Sequence, residues 1–322
     1  FLIEARDVQT QAQKAAPTTV MKPFRIVFMG TPQFAVPALR ALHTSRHEIV
    51  AVLTQPDRPK GRGRKLTPPP VKVAALELGY PVEQPGCIHK PDCLSFLTAT
   101  APDLFVVIAF GRLLKPHHFA IPPHGVINVH ASLLPRYRGP APIQWALING
   151  DRETGVTTMV MEEELDAGDM LLQARTAIAS DDTAATLHDR LSEMGAPLLL
   201  DTLDQLANGR LDPTPQDPTA VTYAPLLTKK DGRIRWDQPT ASIDAFIRGM
   251  TPWPGAFTFL GDLRLKLFKV RPARLPQPSV PGTIIPGFSD EIRVATRDGA
   301  LTVLEIQSAS GRRMAASDFL KG

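Results

Sequence analysis

Val126-Ile127-Asn128-Val129-His130-Ala131-Ser132-Leu133-Leu134-Pro135-Arg136-Tyr137-Arg138-Gly139 is the stretch on which the reading of this chain turns. Its first five residues follow Gly125 and are rich in β-branched side chains, which predicts a short buried strand. Side chains at i and i+2 of a strand share a face, so Asn128 and His130 are expected to project together. Open α/β sheets gather their ligands at the carboxyl ends of their strands, where these two residues fall. Downstream, the acidic Glu162-Glu163-Glu164 leads into Leu165-Asp166-Ala167-Gly168-Asp169. A carboxamide, an imidazole and a carboxylate are the groups needed to move an acyl carbon onto an amine. They supply a donor for the developing oxyanion, a group that handles protons, and a charge that fixes the state of that group. Asn128, His130 and Asp166 are the candidates.

Outward from this stretch, apolar strands are expected at 25–29, 49–53, 104–109 and 126–129. Helices are expected from Thr31 and Pro32, as cap and first turn, to about Leu42, and over 71–78. Alternation of this kind, running to about residue 208, predicts an α/β fold: a Rossmann-like, mostly parallel sheet with helices on both faces. Gly30-Thr31-Pro32-Gln33-Phe34 lacks the G-x-G-x-x-G spacing, which argues against a dinucleotide-dependent dehydrogenase. Asp212-Pro213-Thr214-Pro215-Gln216-Asp217-Pro218 is polar and proline-rich, as a semi-rigid connector would be. Beyond it, strands expected at 256–260, 263–270, 292–296 and 301–306, with a helix over 241–250, predict a small β-barrel. The organisation expected is an upstream extension or artefact over 1–20, a catalytic domain over 21–208, a linker over 209–222 and a barrel domain over 223–322.

Composition bounds the function classes. With 322 residues, 43% hydrophobic and 21% charged, the chain is long enough for two separate cores. It has no run of about 18 apolar residues, so no membrane span is expected. The first twenty residues lack a signal-peptide core, and Glu4 and Asp7 argue against a transit peptide, so a bacterial cytoplasm is the expected location, an organelle being the less favoured one. Cys87 and Cys93 are read as having no histidine cluster nearby, and His43 and His47, although four apart, have no third partner. His117 and His118 read as surface residues, and no metal is expected. The net charge of +4 is unevenly placed. Residues 55–72 carry Arg58, Lys60, Arg62, Arg64, Lys65 and Lys72 against Asp57 alone, and residues 223–322 carry fifteen Lys and Arg against nine Asp and Glu. Two separated basic regions fit a polyanion that bridges them. Leu263-Arg264-Leu265-Lys266-Leu267 alternates strictly, which places Arg264 and Lys266 on one solvent face.

The block Asn128-Val129-His130-Ala131-Ser132-Leu133-Leu134-Pro135-Arg136-Tyr137-Arg138-Gly139 together with Asp166-Ala167-Gly168-Asp169 resembles the formyltransferase family that uses 10-formyltetrahydrofolate. Arg25-Ile26-Val27-Phe28-Met29-Gly30-Thr31-Pro32 looks like that family's first strand and turn. Gln55-Pro56-Asp57-Arg58-Pro59-Lys60-Gly61-Arg62-Gly63-Arg64-Lys65-Leu66 looks like the insertion of its methionyl-tRNA branch. The likeness runs from about residue 24 to 320. It implies transfer of a formyl group from 10-formyltetrahydrofolate, as co-substrate, to the amine of methionyl initiator tRNA, with Asn128, His130 and Asp166 catalytic. Phe110, Arg112, Leu113 and Leu114, with Ser132, Leu133, Leu134 and Pro135, are implied to hold the folate. Arg58, Lys60, Arg62, Arg64 and Lys65 are implied to meet the acceptor end of the tRNA, Arg62 foremost. The barrel is implied to be of the OB type; the alternating Arg264 and Lys266 are expected, on charge, to meet the same tRNA, and a monomer is expected. Glu164 stands where the family more often has Gly. Two alternatives stay open: a sister enzyme acting on a ribonucleotide or sugar amine, and a binding protein without catalysis.

Overall fold

The computed structural model describes residues 22–61, 63–275, 277, 279–309 and 311–321. The expectations for residues 1–20 and for Arg62 therefore lie outside the described residues. In the first two thirds of the chain the strands are β1 (Arg25–Gly30), β2 (Glu48–Leu53), β3 (Arg58–Lys60), β4 (Lys65–Thr67), β5 (Val82–Glu83), β6 (Leu104–Ile108), β7 (Val126–His130), β8 (Glu153–Val160) and β9 (Met170–Ala177). Seven of them form one sheet in the order β5-β2-β1-β6-β7-β8-β9. The first five strands in that order run parallel, and β8 and β9 complete the sheet antiparallel. The helices beside it are α1 (Val36–His43), α2 (Pro70–Glu77), α3 (Pro91–Ala99), α4 (Pro116–Phe119), α5 (Pro142–Ile148) and α6 (Ala184–Ala207).

Period-two alternation in β1 divides the two cores. Ile26 and Phe28 join Leu39, Leu42, Leu187, Leu191 and Leu199 under α1 and α6. Val27 and Met29 face the other way, toward Leu97, Phe105 and Leu114. A strand buried on both sides tends to be apolar throughout, which is why Leu104–Ile108 reads as a continuous run, whereas Val126–His130, equally buried, departs from it at Asn128 and His130. One local expectation fails: Thr31 is not a helix cap. The chain first makes a short 3-10 turn at Gln33–Ala35, and the Thr31 hydroxyl donates instead to the Phe110 carbonyl at 2.9 Å, tying the first turn to the end of β6.

The last third contributes α7 (Thr240–Gly249), β10 (Ala256–Leu260), β11 (Leu263–Ala273), β12 (Ile292–Ala295), β13 (Ala300–Ser308), β14 (Met314–Ala315) and α8 (Ala316–Phe319). The five strands make an antiparallel sheet, β10-β11-β13-β12 with β14 on β13, that curls as a small barrel-like domain around Leu265, Leu267, Leu301, Val303 and Ile306. This core reaches back into the first body: Ala141 is part of it, and Trp145 and Ile148 of α5 pack against it. The helix that follows the Asn128–Gly139 stretch is thus shared between the two bodies.

Asp182 holds a second joint. Its carboxylate, almost fully buried, accepts from both terminal nitrogens of Arg190 at 2.7 and 2.9 Å and from the Ala179 amide, while its carbonyl accepts from Arg248 of α7 at 3.0 Å. Burial works to raise the pKa of this carboxyl, but the Arg190, Ala179 and Thr186 hydrogen bonds outweigh it and hold the carboxyl below its usual range. The folded state therefore binds this proton less readily than the unfolded chain. The stabilisation is complete above about pH 4 and is lost as the pH falls further. Asp182→Ala is expected to cost on the order of 3 kcal/mol in urea unfolding at neutral pH and to flatten the acid limb of the stability profile.

Candidate active site

β7 runs between β6, parallel to it, and β8, antiparallel, and all five of its residues are buried. Asn128 lies opposite Met159, and His130 lies opposite Thr157. As expected from the spacing, the two side chains share one face at the carboxyl end of the strand. The chain then folds back on itself. The Ser132 hydroxyl donates to the Arg136 carbonyl at 2.6 Å, the Thr157 hydroxyl donates to the Ser132 carbonyl at 2.7 Å, and Gln173 donates to the Leu134 carbonyl at 2.8 Å.

This turn carries Tyr137 into the left-handed region, φ 64°, and aims its carbonyl at His130. The Tyr137 phenol is fixed in turn by donating to Asp151 at 2.8 Å and accepting from Asn149 at 3.0 Å. The His130 Nε2 lies 2.9 Å from the Tyr137 carbonyl oxygen. A carbonyl only accepts, so Nε2 carries a hydrogen and Nδ1 is the ring nitrogen left for chemistry. Nδ1 stands 3.7 Å from Asp166 Oδ2, outside direct hydrogen-bond range. Asp166 Oδ2 accepts the Gly139 amide at 2.8 Å, so the Asn128–Gly139 stretch supplies the histidine and also positions the carboxylate beside it.

Two glycines are dictated by this geometry. Gly139 has φ 116°, and a side chain there would press on the Ala224 carbonyl oxygen at 2.9 Å. Gly168 lies against Val160, and any Cβ would collide with the Val160 carbonyl oxygen. The second contact explains the glycine of Asp166-Ala167-Gly168-Asp169: the loop turns by laying its backbone directly on the end of β8.

The turn after β6 is organised by a residue that sequence reasoning missed. Gln55, buried at the end of β2, donates to the carbonyls of Phe110 at 3.1 Å and Gly111 at 3.3 Å. Its carboxamide oxygen accepts from Arg112 at 3.1 Å and Arg58 at 3.3 Å. One carboxamide therefore joins the base of the basic insertion to the Phe110–Arg112 turn. Of the side chains expected here, Leu113 is exposed, while Phe110 and Leu114 belong to the core beneath the sheet. Leu134 and Ser132 are buried, Ser132 with its hydroxyl already engaged, and Leu133 and Pro135 are half-buried.

The basic insertion is a hairpin: β3 pairs antiparallel with β4, Arg58 opposite Thr67 and Lys60 opposite Lys65. Arg58, Lys60, Arg64 and Lys65 are all exposed on it. Arg264 and Lys266 alternate with buried Leu265 and Leu267 as expected, but both are half-buried. The Arg264 guanidinium lies 3.8 Å above the Phe257 ring.

His118 overturns its expectation. It is fully buried, accepting the Lys115 amide at its Nδ1 and bonding the Ile88 carbonyl at 3.0 Å through Nε2. It closes the first turn of α4, a task its neighbour His117 does not share. His89, which lies between the two free cysteines in sequence, meets both rings in space, with ligand atoms of the three histidines within 4.8 Å of one another. Both His118 nitrogens are occupied by backbone partners, so this cluster is packed through its rings. Among the described residues, no helix is long and apolar enough to cross a membrane.

Asn128 and His130 thus share a face at the carboxyl end of β7 with Asp166 beside the imidazole, and the exposed basic hairpin follows β2, three strands along the sheet. Residues 24–203 match the formyl transferase family model, residues 226–322 match the model of its C-terminal domain, and the chain belongs to the formyltransferase family. It is 51% identical over 302 residues to the methionyl-tRNA formyltransferase of Citrifermentans bemidjiense, covering 94% of each chain. It is 50% identical to that of Trichlorobacter lovleyi, covering 94% of this chain and 95% of the relative. The fold is also that of the sugar 3N-formyl transferase WlaRD, with a TM-score of 0.65 at 17% identity over 90% of this chain and 99% of that one.

Proposed function

We propose that this chain transfers the formyl group of 10-formyltetrahydrofolate to the α-amino group of methionyl initiator tRNA, releasing formylmethionyl-tRNA and tetrahydrofolate. The observation that carries this reading is the approach of His130 Nδ1 to Asp166 Oδ2 at 3.7 Å on the face that also bears Asn128. The relatives that share half of its residues over nearly the whole chain are methionyl-tRNA formyltransferases, which supports the acceptor.

The amine nitrogen attacks the formyl carbon, a C–N bond forms, and the carbonyl π electrons move onto oxygen. The Asn128 carboxamide and the His130 Nδ1–H donate to that oxyanion. The Tyr137 carbonyl holds the ring so that this nitrogen, and no other, faces the reaction. Asp166 balances the charge of the doubly protonated ring and takes the amine proton, through one water where the gap requires it. Collapse of the intermediate re-forms the carbonyl and breaks the bond from the formyl carbon to N10 of the donor, and N10 leaves with the proton that Asp166 took from the amine, which returns the carboxylate to its starting state. The pterin would lie against the Phe110–Arg112 turn, with the exposed Leu113 covering it and Leu114 and Leu134 supporting from the core. Residues 21–208 act as the catalytic unit, and 223–322 act with the hairpin as the tRNA-binding surface, in a monomer of the bacterial cytoplasm.

Formyl transfer measured side by side with methionyl initiator tRNA, methionyl elongator tRNA and glycinamide ribonucleotide tests this reading. Selective use of the initiator is expected, and turnover of the small amine alone would replace the acceptor. Neutralising Arg58, Lys60, Arg64 and Lys65 together with Gln should raise the KM for tRNA while sparing kcat. The log–log salt dependence of tRNA binding should become shallower by up to about 3. An unchanged salt slope would remove the hairpin from the interface.

A further inference from the structure

The proline-rich segment between the two bodies runs alongside the candidate active site. Thr214 and Met170 exchange both backbone hydrogen bonds at 2.9 Å, and Thr222 and Ala224 bond the backbone of Arg138 at 2.9 and 2.8 Å. Between these two pins Gln216 turns inward, half-buried while its neighbours at 212–215 and 217–220 are exposed. Its amide nitrogen donates to the carbonyls of Asp166 and Gly168, both at 2.8 Å. Its oxygen accepts from Nε of buried Arg138 at 2.9 Å.

Asp166 is also the residue with φ 50°, in the left-handed region that side chains seldom occupy. Such a conformation persists only where surrounding contacts over-determine it. Two contacts do so here: the Gly139 amide on the carboxylate and Gln216 on the backbone carbonyl. The first sets one carboxylate oxygen; the second sets the turn from which the side chain projects. Arg138 fixes Gln216 from behind and reaches Glu164 at 3.2 Å with another nitrogen, so both ends of the loop are tied to one guanidinium.

We propose that Gln216 is a positioning residue for formyl transfer: it holds the backbone at Asp166 in the conformation that presents the carboxylate to His130 Nδ1. This rests on the function proposed above. It makes the connecting segment a working part of the catalytic unit, since the residue that orients the carboxylate comes from the chain on its way to the second body.

Gln216→Glu keeps the length of the side chain and the acceptor for Arg138, and replaces the double donor by oxygen facing two carbonyls. Gln216→Met fills the same volume with no donor. Both are compared with wild type in the full chain, alone and combined with Asp166→Asn, by single-turnover formyl transfer to methionyl initiator tRNA, tRNA binding and thermal melting. In the otherwise wild-type chain each should lower the transfer rate by up to about 10²-fold, as misplacement of a reacting group does, with tRNA affinity retained. In the Asp166→Asn background the same substitutions should cost nothing further, because the group they position is gone. Equal losses in both backgrounds, or full activity of Gln216→Met, would overturn the proposal. A wild-type chain that transfers no formyl group to any amine would overturn the functional reading and this inference with it.

Discussion

Replacing His130 by Ala is expected to lower the rate of formyl transfer by about 10³-fold while leaving tRNA affinity within a few-fold, in the range found for removal of a positioned proton-handling group. The size of the effect follows from the way the ring is committed. Nε2 is spent on the Tyr137 carbonyl, so the imidazole can neither flip nor rotate without losing a buried hydrogen bond. Its other nitrogen then faces Asp166 and the shared face with Asn128. The ring is buried in the sheet, while the hairpin cations are exposed beyond β2, three strands along, so tRNA affinity is expected to be retained. The measurement is single-turnover kinetics with saturating donor, together with filter binding of the tRNA. A parallel fall in both would mean that the residue supports structure and not chemistry.

Gly168→Ala is expected to lower the rate by on the order of 10²-fold without touching an ionisable group. A methyl at this position collides with the Val160 carbonyl oxygen, which is backbone at the end of β8, held between β7 and β9, and cannot swing aside as a flexible side chain would. The loop must lift, and with it Asp166, whose carboxylate is set by a single amide two segments away and whose backbone is already strained. A shift of about 1 Å in a reacting group can cost on the order of 10²-fold. Circular dichroism and melting should show the sheet intact while activity falls. Full activity in a folded Gly168→Ala chain would mean that the loop geometry does not govern the reaction.

Much of this arrangement was legible in the residues, for physical reasons that differ along the chain. β7 was readable because an apolar run ending in two polar side chains two positions apart can bury its length and present its end in only one way. The start of β11, Leu263–Leu267, was readable because alternation has a single period, whereas the strand runs on to Ala273 past register shifts that break it. Gln55 and Gln216 were not readable, since each works by donating to backbone carbonyls about fifty residues away, and a carbonyl leaves no mark in a sequence. Tyr137 was hidden for the same reason: its contribution to His130 is the direction of its carbonyl. Thr31 looked like a cap because hydroxyls at helix starts usually are, yet the nearby Phe110 carbonyl claimed it. His118 looked exposed beside Lys115 and Pro116, but its ring closes the short helix from inside. The family resemblance named the residues that meet at the end of β7, whereas the contacts that support them came only from the fold.

The most direct test of the central claim is a crystal structure with a non-transferring analogue of 10-formyltetrahydrofolate. The account expects the formyl oxygen about 3 Å from the Asn128 carboxamide and from His130 Nδ1, with the pterin against the Phe110–Arg112 turn. An analogue seated elsewhere, for instance in the hollow of about 410 Å³ lined by Val36, Arg40 and Pro197, would contradict it.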